Sequence, residues 1–180
     1  MLREMKIRYV GIFVMIAIAA IFAGCDDGNT QKVAISQQVQ EVKPKEPLPP
    51  TGVEFSLSES ALPGYVVVSG LSDAESWGRW SVSDKVVFKF GSNLPKKFAL
   101  VISAKAYGPN AGLAIPVKVG GQVMEMKLSA DITTDIRLEF SPNTVADNIE
   151  ITVPKPTVPK TGDLRALGIA FNSVKIEPLL

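Results

Sequence analysis

Residues 135–140 read DIRLEF and residues 148–153 read NIEITV. In the first, Ile136, Leu138 and Phe140 alternate with charged residues; in the second, Ile149, Ile151 and Val153 alternate with polar ones. Successive side chains of a strand point to opposite faces, so this period of two builds one buried face and one wet face. A helix would need apolar spacings of three and four, which neither stretch has.

Working outward, the same pattern recurs in VEFSL (53–57), YVVVSG (65–70), KVVFKF (85–90) and KFALVISAKAY (97–107). It continues in IPVKVG (115–120), QVMEMKL (122–128) and GIAFNSVKIE (168–177). Turn formers separate these runs: Leu94-Pro95, Gly108-Pro109-Asn110, Gly120-Gly121 and Ser141-Pro142-Asn143. About nine short strands with this punctuation predict an all-β fold, a single jelly-roll-like β-sandwich over 53–180.

The N-terminal part has a different character. Arg3, Lys6 and Arg8 precede the apolar run VGIFVMIAIAAIF (10–22), and Ala23-Gly24 lead into Cys25. A basic start, a short apolar run and small residues are the layout of a secretory signal. The order resembles a bacterial lipobox, with Phe22 where Leu is usual. It implies a signal peptide over 1–24 and lipid on the Cys25 sulfur, which would attach the protein to a membrane. The run is shorter than the roughly 20 apolar residues of a spanning helix. Asp26 resembles the inner-membrane retention signal of enteric bacteria, which places the lipoprotein on the periplasmic face of that membrane. Residues 25–52 close on KPKEPLPP (43–50) and read as a disordered, proline-rich tether.

Composition excludes several functions. The net charge is +1, and removing residues 1–24, with three cations and one acid, turns it to −1. No basic field for nucleic acid exists. The chain has no histidine, so a Ser-His-Asp triad and His-ligated zinc are impossible. Cys25 is the only cysteine, which excludes an internal disulfide. Asp131 and Asp135 are the nearest thing to an acid–base pair, but no activated nucleophile accompanies them. The DDGN run (26–29) is too sparse in oxygen ligands for a calcium loop. No catalytic residue, metal or cofactor is assigned.

Four segments stand out: GLSDAESWGRWS (70–81), AKAYGPN (104–110), NIEI (148–151) leading to PKP (154–156), and DLRALGI (163–169). In this order they resemble an uncharacterised domain found at the C-terminal end of membrane-bound phosphoglycerol transferase I. That enzyme decorates osmoregulated periplasmic glucans, and the domain also occurs in some membrane glycosyltransferases. The resemblance spans roughly 65–177, nearly the whole folded part. It stops short of the catalytic part, whose metal site needs histidines that this chain lacks. The resemblance implies an accessory module in an envelope-glycan setting.

The candidate residues come from these segments: Glu75, Trp77, Arg79, Trp80, Tyr107, Asn110, Asp163 and Arg165. Trp77 and Trp80 could form an aromatic platform for a sugar ring, with Glu75 and Arg79 bonding hydroxyls. The default reading buries the indoles and pairs the charges to close a loop over the sandwich end. Asp163 and Arg165 are expected to meet the Trp loop, with Arg79 or Arg165 bonded to Glu75 or Asp163. Tyr107 and Asn110 read first as part of a turn. One indole is expected to be mostly buried and the other to border a concavity.

Two functions follow from these features. One is a noncatalytic accessory lipoprotein that binds envelope glycan or assists glucan and phosphoglycerol modification. The other is a protein-interaction module docking on a membrane glycan-processing enzyme. A carboxylate-dependent hydrolase or transferase is a third, poorly supported by the missing histidines. For the anchor, Cys25→Ala should abolish fatty-acyl labelling and leave unprocessed precursor. Mass spectrometry of the membrane-purified wild type should find Cys25 at the N-terminus; recovery of residues 1–24 would overturn the lipoprotein assignment.

Overall fold

The computed structural model describes residues 43–160 and 162–180. The assignments made for the signal segment, Cys25, Asp26 and most of the tether lie outside them. The described part is an all-β sandwich. Its strands are β1 (Val53–Ser56), β2 (Val66–Ser69), β3 (Arg79–Trp80), β4 (Lys85–Phe90) and β5 (Phe98–Ala106). They continue with β6 (Ile115–Val119), β7 (Gln122–Met126), β8 (Thr134–Phe140), β9 (Asn148–Thr152) and β10 (Ile169–Pro178). Each of the nine expected runs forms a strand, and β3 is the addition. Two residues are too few to show a period, so the pattern could not mark it.

Both sheets are antiparallel. The first runs β1-β10-β5-β8, with β3 also on β10; the second runs β2-β4-β9-β6-β7. Every connection except β6–β7 carries the chain from one sheet to the other, which gives the jelly-roll-like crossing pattern. Inward residues of both sheets form one core. At its centre Phe88 of β4 meets Phe171 of β10 and Phe55 of β1, with ring centroids 6.2 and 6.3 Å away. Phe98 stacks on Phe140 at 5.6 Å across the β5–β8 pair.

The domain begins earlier than residue 53. Leu48 is 8% exposed and joins the core, its amide donating to Ser92 Oγ, while Lys45 and Glu46 amides bond the Gly64 carbonyl. The end of the expected tether is therefore part of the folded unit, because Leu48 offers apolar surface that the sandwich covers.

The outward face of the first sheet is charged. Glu54, Lys175, Glu177, Arg137 and Glu139 form a ladder of ion pairs across β1, β10 and β8. On β10 the alternation slips: Ile169 and Phe171 face the core, and so do Val174 and Ile176. The phase change is a bulge between Phe171 and Ser173. On one edge of β10, β3 pairs with Ala170 and Phe171, and β1 takes over from Ser173 onward.

The core makes a quantitative prediction. Phe88→Ala should lower unfolding stability by about 3–5 kcal/mol, because the fully buried ring cannot be replaced by collapse. Val123→Ala, on a 56% exposed side chain of β7, should change it by less than about 0.5 kcal/mol. Urea titration of the two variants checks both.

Candidate functional site

The segment 70–81 is a β-hairpin. Leu71 bridges Ser81, the Ser72 amide donates to the Trp80 carbonyl at 2.8 Å, and Glu75 and Gly78 exchange both backbone bonds. Ser76 and Trp77 make its tip. Gly78 has φ of 149°, and a Cβ there would overlap the Phe171 carbonyl. The glycine thus lets the hairpin lie directly on β10. Asn172, the bulged residue, donates from Nδ2 to the Trp77 carbonyl at 3.0 Å. Its buried Oδ1 has no hydrogen-bond partner among the described residues.

The base of the hairpin is clamped to the start of β10. The Ser81 amide donates to the Ile169 carbonyl at 2.7 Å, and Ser81 Oγ accepts from the Ile169 amide at 2.7 Å. Both residues are fully buried. A Cβ on Gly168 would collide with Val153 and approach Ser81 Oγ to 2.9 Å, so only glycine fits that crossing.

Three aromatic rings form a continuous set. Trp77 and Trp80 meet edge to face at 5.2 Å, and Trp80 meets Tyr107 in the same manner at 5.6 Å. Such T-shaped pairs suit the ring quadrupoles. Register places the set on the outward side of the first sheet. Trp80 pairs with Ala170, which lies between the core-facing Ile169 and Phe171 yet is fully buried. Directly paired residues share a face, so Trp80 lies on the outward side with Ala170.

Both indoles are intermediate in exposure, neither fully buried nor exposed, so the expected contrast between the two does not appear. The hairpin extends the edge of the first sheet beside β10, so Trp80 sits on the outward side of that sheet and not in the core. Four depressions on the described surface are lined by other residues, so none of them is the concavity expected beside the rings.

The charged candidates do assemble. Arg165 Nε and Nη2 donate to Asp163, the latter at 2.7 Å, while Nη1 and Nη2 both donate to Glu75 Oε1 at 3.1 Å. The other Glu75 oxygen accepts from Trp77 Nε1 at 3.0 Å. One arginine therefore ties residues 90 positions apart and orients the Trp77 indole. The Arg165 guanidinium and its backbone N–H hold the Asp163 carboxyl below its ordinary value. In return, Asp163 first and Glu75 next push the Arg165 proton affinity up against partial burial.

Arg79 and Asn110 have other tasks. Arg79 donates to the carbonyls of Leu57, Ser72, Glu59 and Ser60, so it ties neighbouring loops and meets neither Glu75 nor Asp163. Asn110 is fully buried in the turn after Tyr107 and bonds the Tyr107 carbonyl and both backbone groups of Lys155. It is a strut. Among the described residues no group of three His, Cys, Asp or Glu is placed for a metal ion. Nor is any described helix long and apolar enough to cross a membrane.

Several supporting residues escaped the sequence reading. Ser72, Ser81 and Gly168 gave no signal, because their roles depend on partners far along the chain. Asn172 did leave one: the phase slip in GIAFNSVKIE marks a bulge.

Residues 51–178 match the family model described as a domain of unknown function, DUF7024. The chain belongs to this family. Over 116 residues this DUF7024 chain is 42% identical to phosphoglycerol transferase I of Escherichia coli strain SE11. The same identity is found with phosphoglycerol transferase I of Shigella boydii serotype 18. In both cases the match covers 60% of this chain and 15% of the relative, so the chain spans only a small part of the curated relatives it matches. Among solved structures, a family 29 carbohydrate binding module aligns over 70% of this chain and 89% of its own, at 13% identity and a TM-score of 0.43. The module BiXyn10A CBM1 in its apo form aligns over 71% and 97%, at 9% identity and a TM-score of 0.46.

The Asp163–Arg165 pair yields a pH prediction. With its folded value lowered, Asp163 contributes stability that is fully present above the ordinary value of 3.8 and is lost as pH falls through the lowered one. The Arg165 Hε resonance, followed by NMR, should therefore titrate with a midpoint below 3.8. Asp163→Asn should remove that titration; a wild-type midpoint at or above the ordinary value would contradict the pairing.

Proposed function

We propose that this domain is a noncatalytic accessory module of the cell envelope that contacts glycan through Trp77, Trp80 and Tyr107, and is held at the membrane by lipid on Cys25. The observation that carries the reading is the aromatic set itself. Three partly exposed rings meet edge to face beside the first sheet, outside the core, and a hydrogen bond from Trp77 Nε1 to Glu75 fixes one of them. Their open sides suit the apolar face of a pyranose ring, and Glu75, Asp163 and Arg165 stand beside them to bond hydroxyls.

The relation to phosphoglycerol transferase I supports an envelope-glycan setting, because the shared stretch is only 15% of that enzyme. A module serving such an enzyme would hold the acceptor or the enzyme rather than perform the transfer. Docking on a membrane glycan-processing enzyme is favoured by a separate observation. Leu164 is 90% exposed although both its neighbours are locked in the ion cluster, and Val158 of the same crossover is 51% exposed.

Titration calorimetry and partner capture separate the two readings. Trp80→Ala should weaken binding of gluco-oligosaccharides about two- to tenfold, since an aromatic contact contributes on the order of 0.5–1.5 kcal/mol. It should cost less than the roughly 3–5 kcal/mol of a fully buried aromatic, because the ring keeps some exposure. Leu164→Asp should leave sugar binding unchanged. If Trp80→Ala keeps full sugar affinity while Leu164→Asp abolishes capture of the membrane enzyme, the docking reading replaces the glycan one.

A further inference from the structure

The two ends of the sandwich differ in charge. The hairpin end gathers the loops 70–84, 107–114, 127–133 and 153–168, which hold five cations and five acids. The opposite end gathers 43–52, 63–65, 91–97, 120–121 and 141–147. There Lys43, Lys45, Lys96 and Lys97 face only two acids, Glu46 and Asp147. Lys89 already holds Asp147 at 2.8 Å. All four lysines are exposed, and none makes an ion pair with a described residue.

The fold brings these lysines together from separate stretches. The Leu48 amide bonds Ser92 Oγ, and Pro44 lies against Gly91 closely enough to crowd any Cβ there. The Leu94 amide bonds the Ala146 carbonyl at 2.7 Å, so 91–97 runs between 43–48 and 141–147. Along that second contact Leu94, Pro95, Pro142 and Val145 line an apolar groove with Lys96 beside them. Val145 is 79% exposed. Lysines around an exposed aliphatic tip suit a surface that offers negative charge above hydrocarbon. Lys43 is also where the chain continues back toward Cys25, 18 positions earlier. That length can span at most about 65 Å.

We infer that this end of the sandwich seats on an anionic phospholipid surface, with Lys43, Lys45, Lys96 and Lys97 at the phosphates and Val145 among the headgroups. The Trp77–Trp80 hairpin then points away from the bilayer, because it lies at the other end of β4, β5 and β10. A single lysine near such a surface tightens association only about fivefold, so it is the group of four that holds the seated state. The inference rests on the lipid-anchor reading for what keeps the domain near a bilayer, and adds how the domain sits on it. An acidic polymer would meet the same lysines. The exposed Val145 and the departure of the chain toward Cys25 from this end favour the bilayer.

The test uses the full-length lipoprotein in two kinds of vesicle, phosphatidylcholine alone and phosphatidylcholine with roughly a third phosphatidylserine. Lipid on Cys25, the only cysteine, leaves Asn143→Cys or Thr133→Cys as a single thiol for a fluorophore. Both positions are exposed, the first at the lysine end and the second at the hairpin end. Energy transfer to an acceptor among the headgroups reads how near each lies to the bilayer. Transfer from 143 should about double when phosphatidylserine is present and exceed that from 133, and about 0.5 M salt should cancel the gain. Combining Lys43→Gln, Lys45→Gln, Lys96→Gln and Lys97→Gln should abolish the gain. Lys127→Gln, Lys155→Gln and Lys160→Gln together, at the hairpin end, should keep it. Equal transfer from 143 in both vesicles, a gain that survives the four substitutions or is equally lost with the three, or a closer approach of 133 overturns the inference and leaves the anchor reading standing. A wild-type Cys25 that reacts with maleimide overturns the anchor reading instead, and the same measurement in a Cys25→Ser background then decides this inference.

Discussion

Strand β10 has to serve three neighbours with one backbone. One edge pairs with β5 along its length, while the other is shared between β3 near Ala170 and β1 from Ser173 onward. The bulge at Asn172 makes the sharing possible. It shifts the alternation by one residue, so that Phe171 and Val174 both reach the core, and it opens the edge where one partner leaves and another arrives. Without this slip the second half of the strand would turn Val174 and Ile176 to solvent and its polar residues inward.

The aromatic face depends on that arrangement. The hairpin carrying Trp77 and Trp80 is attached to the first residues of β10 by the Ser81–Ile169 bonds, the close approach of Gly78 and the Asn172 amide. Arg165 then joins the hairpin to the crossover that leads into β10. Exposed ion pairs are individually weak. Here the bidentate geometry positions more than it stabilises, because it fixes the Trp77 ring through Glu75.

Much of this was visible in the chain itself. Period-two alternation in segments such as 135–140 and 148–153 marks the strands, since each strand's burial is a local property of its own residues. The proximity of the 70–81 and 163–169 segments rested on their resemblance to a known domain, and the Glu75–Arg165–Asp163 cluster realises it. The lysines of the opposite end were legible only one by one, since Lys43 and Lys96 share a surface only after 43–48 has folded onto 91–92.

By itself the sequence determined the β class, the turn positions, the lack of histidine and disulfide chemistry, and the phase slip that marks the bulge. All of these follow from residue type and short-range spacing. Tertiary structure alone decided which strands pair, that Leu48 belongs to the core, and that Arg79 and Asn110 are struts. It also decided that both indoles lie partly exposed outside the core, with Trp80 on the outward side of the first sheet. The physical reason is that exposure and partnership are set by what arrives from distant positions, as Arg165 reaches Glu75 and Ile169 reaches Ser81. No local pattern encodes that arrival.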